Sequence, residues 1–336
     1  MDKHLKIIFP KDRGITLIGS GPLIIETAKY TRSLGISTLA IYAPRHFDNK
    51  DANLLKKIGC AFYKTNDPHQ DYSLLDKFND YSKLCICFGP AWIFKESILN
   101  IFEDRIFNFN GIPLPNYLGG AHFTWQILHN NKTGGAFIQQ IDENIDRGKI
   151  ILGEHYNIPT DINLPVDYEK FNNKKGINLI KKFIDKITTP PNEIKYQDNI
   201  INWDQHLYFP RLYTPKNGYV NWSWTGEEIF RFCNAFDEPY PGARSFINNE
   251  IVILKNTKFH KNPYSHPFSA GLIVRINKEK QEVWIATRDG FLEVKKFNFE
   301  SNKSPHNIKI GMRIITPLSK IEESFSSIKF DSKGLV

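Results

Sequence analysis

The sequence predicts an α/β domain built on a parallel sheet, followed by a small all-β domain in the form of a barrel or sandwich. Three observations carry this. The chain opens with strand, glycine turn, helix and strand; buried apolar runs then keep alternating with helical segments; and beyond Tyr208 the pattern turns to short alternating strands divided by turn residues. With 336 residues, 41% of them hydrophobic, the chain suffices for two domains with filled cores. The expected boundary lies near residue 205, giving domains 1–205 and 206–336.

Taken in order, "GITLIGSGPLIIETAKYTRSLGISTLAIY" supplies a β-branched strand, the turn Gly19-Ser20-Gly21-Pro22, a helix ending at Gly35 and a second strand. "ANLLKKIGCAFYKT" repeats the helix-to-strand step, and "YSKLCICFGP" adds a buried strand closed by a Gly-Pro turn. A helix over "FKESILNIF" leads to the strand "RIFNFN", whose carboxyl end opens the stretch "FNFNGIPLPNYLGGAHFTW" at the edge where open α/β sheets place ligands. "TDINLPVDYEKFNNKKGINLIKKFIDKI" reads as a loop and an amphipathic helix, with a proline break after it. "EIVILKNTKFH", "SAGLIVRIN", "QEVWIATRDGFLEVKKFNF" and "GMRIITPL" read as the strands of the second domain, with turns at Asn248-Asn249 and Asp289-Gly290.

Composition narrows the function classes. The net charge of +8 comes from dispersed lysines and arginines rather than blocks, so a nucleic acid is not the expected partner and a small anionic substrate suits the balance equally well. Cys60, Cys85, Cys87 and Cys233 have neither disulfide nor paired metal-ligand spacing and read as buried thiols; no metal is expected. No segment approaches the roughly 18 apolar residues of a membrane span, and the amino terminus has no leader pattern, so the expectation is a cytoplasmic protein. Gly19-x-Gly21 between strand and helix suits either a tight turn or a cradle for a substrate phosphate. It is a poor dinucleotide fingerprint, because Ile24 stands at the third glycine position and "YAPRH" lacks the acid that would hold a ribose.

"RIFNFNGIPLPNYLGGAHFTWQIL" followed by "GGAFIQQIDENIDRGKII" resembles the folate-dependent formyltransferases, the family of glycinamide ribonucleotide, methionyl-tRNA and sugar N-formyltransferases. Asn108, Leu114, Pro115, Gly119, Asp146 and Gly148 match that family's Asn-x-His-x-Ser-x-Leu-Pro-x-x-x-Gly and Asp-x-Gly pattern at its spacing. The segment "YFPRLYTPKNGYVNWSWTGEEIFRFCNAFDEPYPGARSF" is similar to the linker and C-terminal domain start shared by methionyl-tRNA and some sugar formyltransferases. The resemblance implies a Rossmann-like catalytic domain, a small open (OB-like) β-barrel, and formyl transfer from 10-formyltetrahydrofolate to an amine. It is compatible with an oligomer.

Carried over by position, the resemblance makes Asn108 the amide donor to the oxyanion and Asp146 the acid. Asn110 stands where the family keeps its proton-handling histidine, Ile112 stands at the serine position, and Gln139 replaces a histidine common in the following strand. A carboxamide donates a hydrogen bond but takes no proton near neutral pH. Three readings therefore compete: Asp146 or a water takes the proton while Asn108 and Asn110 both donate; His122 serves as a substitute base; or transfer is lost and the fold only binds. Trp92 and Phe94 align with the loop lining the pterin pocket, their other reading being ordinary core, and the segment beginning Gln140, Ile141 and Asp142 aligns with the loop whose backbone meets the pterin ring. Methionyl-tRNA formyltransferases carry a basic insertion after the second strand, which this sequence lacks, and "LGGAHFTWQIL" is similar to loops of sugar-modifying members. The expected substrate is a nucleotide-linked amino sugar held by Gly19, Gly21 and Gly119, its base stacked on Trp222 and Trp224. Methionyl-tRNA formylation and a non-catalytic binding protein are the alternatives.

Overall fold

The computed structural model describes residues 4–6, 14–81, 84–103, 105–141, 148–197, 200–277, 279–280, 282–301, 308–328, 330–331 and 334–335. The chain packs as two units: residues 1–118, 133–157 and 171–207 form the first, and residues 119–132, 158–170 and 208–336 the second. Two excursions of the amino-terminal half thus join the second unit.

In the first unit the expected alternation is realised as β1 (Ile15–Gly19), α1 (Pro22–Ser33), β2 (Thr38–Tyr42), α2 (Asn49–Lys57), β3 (Ala61–Lys64), α3 (Tyr72–Tyr81), β4 (Cys85–Phe88), α4 (Glu96–Phe102) and β5 (Ile106–Asn110). After an excursion through α5 (His122–Leu128) in the second unit come β6 (Thr133–Gln140), β7 (Ile150–Asn157) and the long α6 (Pro165–Thr188), which belongs to the first unit from Phe171 onward. The strands form one sheet in the order β3-β2-β1-β4-β5-β6-β7. The first five are parallel, and β6 and β7 add antiparallel. Parallel strands need both faces covered. One face packs on α1, α2 and α6 through residues such as Ile24, Leu55 and Phe183; the other packs on α3 and α4 through Phe78, Ile98 and Phe102. Strand order reverses between β1 and β4, the kind of place where such sheets bind ligands.

Gly19 ends β1 directly opposite Phe88 of β4. Its φ is +141°, and a Cβ there would sit 2.2 Å from the Phe88 carbonyl oxygen. Only glycine meets both demands. The sheet's own packing therefore accounts for this residue.

The second unit holds α5, α7 (Gly226–Ala235), and the strands β8 (Ala243–Ile247), β9 (Glu250–Lys261), β10 (Ile273–Asn277), β11 (Glu282–Thr287) and β12 (Gly290–Phe299). They form an antiparallel sheet ordered β8-β9-β12-β11-β10. The run "GMRIITPL" is not a regular strand. Instead Ile315 N donates to the Phe246 carbonyl on one sheet edge at 2.9 Å, and the Met312 carbonyl accepts from Ile273 N on the other at 2.8 Å. That segment bridges both edges and closes the sheet into a small barrel, removing exposed strand edges. A capping box between Thr225 and Glu228 starts α7, which packs on β9.

Gly19→Ala is expected to lower unfolding stability by about 2–4 kcal/mol through combined backbone strain and overpacking, read as a lower denaturant midpoint at an unchanged slope.

Candidate active site

The alternation in "IFNFN" decides what the end of β5 presents. Phe107 and Phe109 point to the α6 face, where the Phe107 and Phe183 rings meet edge to face with centroids 5.1 Å apart. Asn108 and Asn110 take the opposite face, with Ile106. Burying the two phenylalanines contributes about 1.5–3 kcal/mol each, so a one-residue slip that exposed them and buried the asparagines is strongly disfavoured.

Register then sets the neighbours. Asn108 lies beside Cys87 of β4 and opposite Gln139 of β6, while Asn110 lies opposite Phe137 and diagonal to Gln139. Asn110 Nδ2 donates to Gln139 Oε1 at 3.1 Å, and Gln139 Nε2 donates to the Gly148 carbonyl at 3.3 Å. Asn108 Oδ1 is buried without a partner among the described residues. Gly148 is pressed so closely on the Gln140 carbonyl that a Cβ would fall 1.7 Å from that oxygen. The glycine of the Asp-x-Gly pattern is thus a close-approach residue. Asp146 and Asp142 lie outside the described residues.

The expected folate-side residues line up along the neighbouring strand ends. Phe94 is buried in the cluster with Phe78 and Phe102, and Trp92 and Ile141 pack partly buried against that cluster. Trp92 Nε1 donates to the Asn66 carbonyl at 2.8 Å. Gln140 Oε1 accepts from Tyr196 Oη at 3.0 Å, and Ile141 N donates to the Ile106 carbonyl at 2.8 Å, which fixes the start of the following loop. A further anchor was not legible in the sequence. Asn172 of α6, buried, donates from Nδ2 to the Gly111 carbonyl at 2.9 Å and accepts from Tyr156 Oη, so it clamps the peptide next to Asn110. No local pattern singles out that asparagine, because the contact spans 61 residues.

A cleft of about 520 Å³ opens at the start of α1, lined by Gly21, Glu26, Lys29, Asp48 and Asp51 among others. Lys29 is paired with Glu26 at 2.6 Å, and burial, followed by the neighbouring Asp48, raises the Asp51 carboxyl. Three carboxylates around one lysine offset the attraction of the helix start for a phosphate.

The remaining expected residues belong to the second unit. Gly119 lies against the Phe209 carbonyl. Trp222 is 8% exposed and its Nε1 donates to Ser245 Oγ at 2.9 Å. It is a core residue with no ring face to offer a nucleotide base, which corrects the stacking role expected for it. Trp224 packs on Phe232 with ring centroids 5.1 Å apart. His122 starts α5 with its ring against Phe123, and desolvation pushes its pKa down to about 4. So weak a base is ill suited to taking a proton from an amine. Among the described residues, no group of three His, Cys, Asp or Glu side chains could hold a metal, and no helix is long and apolar enough to cross a membrane.

The first unit is thus a doubly wound sheet with carboxamides at its carboxyl edge, and the second is a small antiparallel barrel. Residues 213–307 match the family model described as "Formyl transferase, C-terminal domain". A methionyl-tRNA formyltransferase of Thermodesulfovibrio yellowstonii is 28% identical over 230 residues, 68% of this chain and 69% of that protein. The bifunctional polymyxin resistance protein ArnA of Wigglesworthia glossinidia brevipalpis is 29% identical over 187 residues, 55% of this chain but only 27% of its own length. The solved structure of WlaRD, a sugar 3N-formyl transferase with dTDP and 5-N-formyl-THF, superposes with a TM-score of 0.62 at 20% identity, covering 88% of this chain and all of its own. The chain is thus similar to formyltransferases along most of its length, and residues 213–307 carry the C-terminal domain of that family.

His122→Phe is expected to flatten the acid side of the stability profile. The depressed pKa means the unfolded chain binds the extra proton between its own value near 6.5 and the folded value of about 4, so stability is complete above that window and falls as pH drops through it. Thermal melts at pH 7.5 and 5 should show the variant losing less than the parent protein.

Proposed function

We propose that the protein transfers a formyl group from 10-formyltetrahydrofolate to the amine of a nucleotide-linked amino sugar. The observation that carries this reading is the pair of same-face carboxamides, Asn108 and Asn110, at the carboxyl end of β5, where open α/β sheets place ligands. The residues fit a folate: carboxamides at the strand ends, with Trp92 and Ile141 offering half-buried apolar surface beside them. Support for a sugar substrate comes from the structural likeness to a sugar 3N-formyl transferase. It also comes from the short link between β2 and α2, where only residues 43–48 intervene and no basic insertion is present.

When bound, the donor supplies a formyl carbon: the amine nitrogen bonds to it, the bond to the folate nitrogen breaks, and the proton lost by the amine ends on that nitrogen. Asn108 Nδ2 donates to the formyl oxygen as negative charge gathers there, a contact that strengthens only in the transition state. The Gln139–Gly148 anchor and the Asn172 clamp hold the end of β5 so that no reorganisation is needed during the reaction. With carboxamides at 110 and 139 and a weakly basic imidazole at 122, proton transfer falls to Asp146 acting directly or through a water. Methionyl-tRNA is the second substrate reading, favoured by the tRNA-formylating relatives.

Incubation with the folate donor and a panel of amino-sugar nucleotides should add one formyl mass to a sugar and none to initiator methionyl-tRNA; the reverse outcome would select the tRNA reading. Asn108→Ala should lower kcat about 10²–10³-fold, and Asp146→Asn should abolish transfer. Asn110→His should add to the kcat–pH profile an ionisation near 6.5 that the parent lacks, and an unchanged profile would remove residue 110 from the reacting centre.

A further inference from the structure

We infer that Gln139 is a positioning residue that fixes the polarity of the Asn110 carboxamide, so that Asn110 accepts a hydrogen bond from the attacking amine instead of donating to the formyl oxygen. The fixed polarity stands on the hydrogen bonds alone; its use in catalysis rests on the formyl-transfer reading.

The logic begins at a backbone carbonyl. Gly148 O can only accept, so the Gln139 end facing it must be the nitrogen, and Nε2 lies 3.3 Å away. Gln139 is 2% exposed and cannot trade that bond for water. Its Oε1 is thereby turned toward Asn110, which must answer with Nδ2, at 3.1 Å. Reversing Gln139 would set its oxygen against the Gly148 oxygen and its nitrogen against Asn110 Nδ2; reversing Asn110 alone would set its oxygen against Gln139 Oε1. A direction therefore runs from Gly148 through Gln139 to Asn110, and it fixes which end of each carboxamide faces its neighbour.

Asn110 is half-buried, and its Oδ1 has no partner among the described residues yet is not sealed in as Asn108 Oδ1 is. The Asn172 clamp on the Gly111 carbonyl resists the backbone rotation that would let the side chain escape this arrangement. The face thus presents two carboxamides two residues apart on one strand, roughly 7 Å by strand rise, with opposite available chemistry. Asn108 offers a donor for developing charge. Asn110 offers an acceptor for an amine N–H, and holding one N–H in place aims the nitrogen lone pair at the formyl carbon. The amine still loses its proton elsewhere, so Asn110 orients the nucleophile without acting as a base.

Side-chain amide signals of Asn110, assigned by their loss in Asn110→Asp, provide a readout independent of turnover. In the parent protein one Asn110 Nδ2 proton should exchange slowly; in Gln139→Leu that protection should vanish. In Gln139→Leu the KM for the amine should rise about fivefold to tenfold, the cost of one hydrogen bond, while donor affinity stays within about twofold. Gln139→Glu should restore the parent amine KM at low pH, where the neutral acid supplies both an O–H for Gly148 and an oxygen for Asn110, and should lose it as the acid ionises. Unchanged Asn110 protection in Gln139→Leu overturns the fixed polarity. A loss of donor affinity with the amine KM intact overturns the amine role and returns Asn110 to the formyl oxygen. A parent protein that formylates no amine overturns the catalytic use together with the reading it rests on, while the exchange comparison still decides the polarity.

Discussion

The antiparallel pairing of β5 with β6 is the constraint on which the site depends. It switches the sheet from parallel to antiparallel at the strand that carries Asn108 and Asn110, and its register sets Asn108 against Gln139. A slip of one residue would turn Phe107 and Phe109 out of the α6 core and the asparagines into it. Core packing on one face of β5 therefore determines the chemistry presented on the other.

The same pairing turns an apparent loss into a coherent arrangement. Carboxamides stand at positions 110 and 139, where the formyltransferase resemblance leads one to expect histidines. Taken singly, each removes an imidazole. Taken together, they bond to each other and to Gly148, and a lone histidine at either position would have to find its partner among amides. Carboxamides keep one donor and one acceptor end at every ordinary pH, so the arrangement gives up proton exchange and gains a fixed orientation.

The barrel obeys a different constraint. Its strands alternate as the sequence indicates, but closure relies on residues 312–315 reaching both sheet edges by isolated bridges. The aromatic segment ahead of it serves the same core, with Trp222 bonded to Ser245 and Trp224 packed on Phe232. Aromatic residues at a proposed nucleotide surface and aromatic residues in a small core look alike in sequence, and only burial distinguishes them.

The sequence by itself determined the strand and helix alternation of the first unit, since β-branched runs, glycine turns and amphipathic spacing are local properties. It also made Asn108, Asp146 and Gly148 candidates through their motif spacing and marked Asn110 as the departure from it; a close backbone approach such as that of Gly148 to Gln140 tolerates no other residue and leaves a readable trace. Local signals could not show that Gln139 holds Asn110, that Asn172 clamps the peptide beyond it, or that Trp222 is sealed in a core. These contacts join residues separated by 29, 61 and 23 positions. The direction in which a carboxamide points is set by the partner it meets across the sheet, and that partner exists only once the strands have paired.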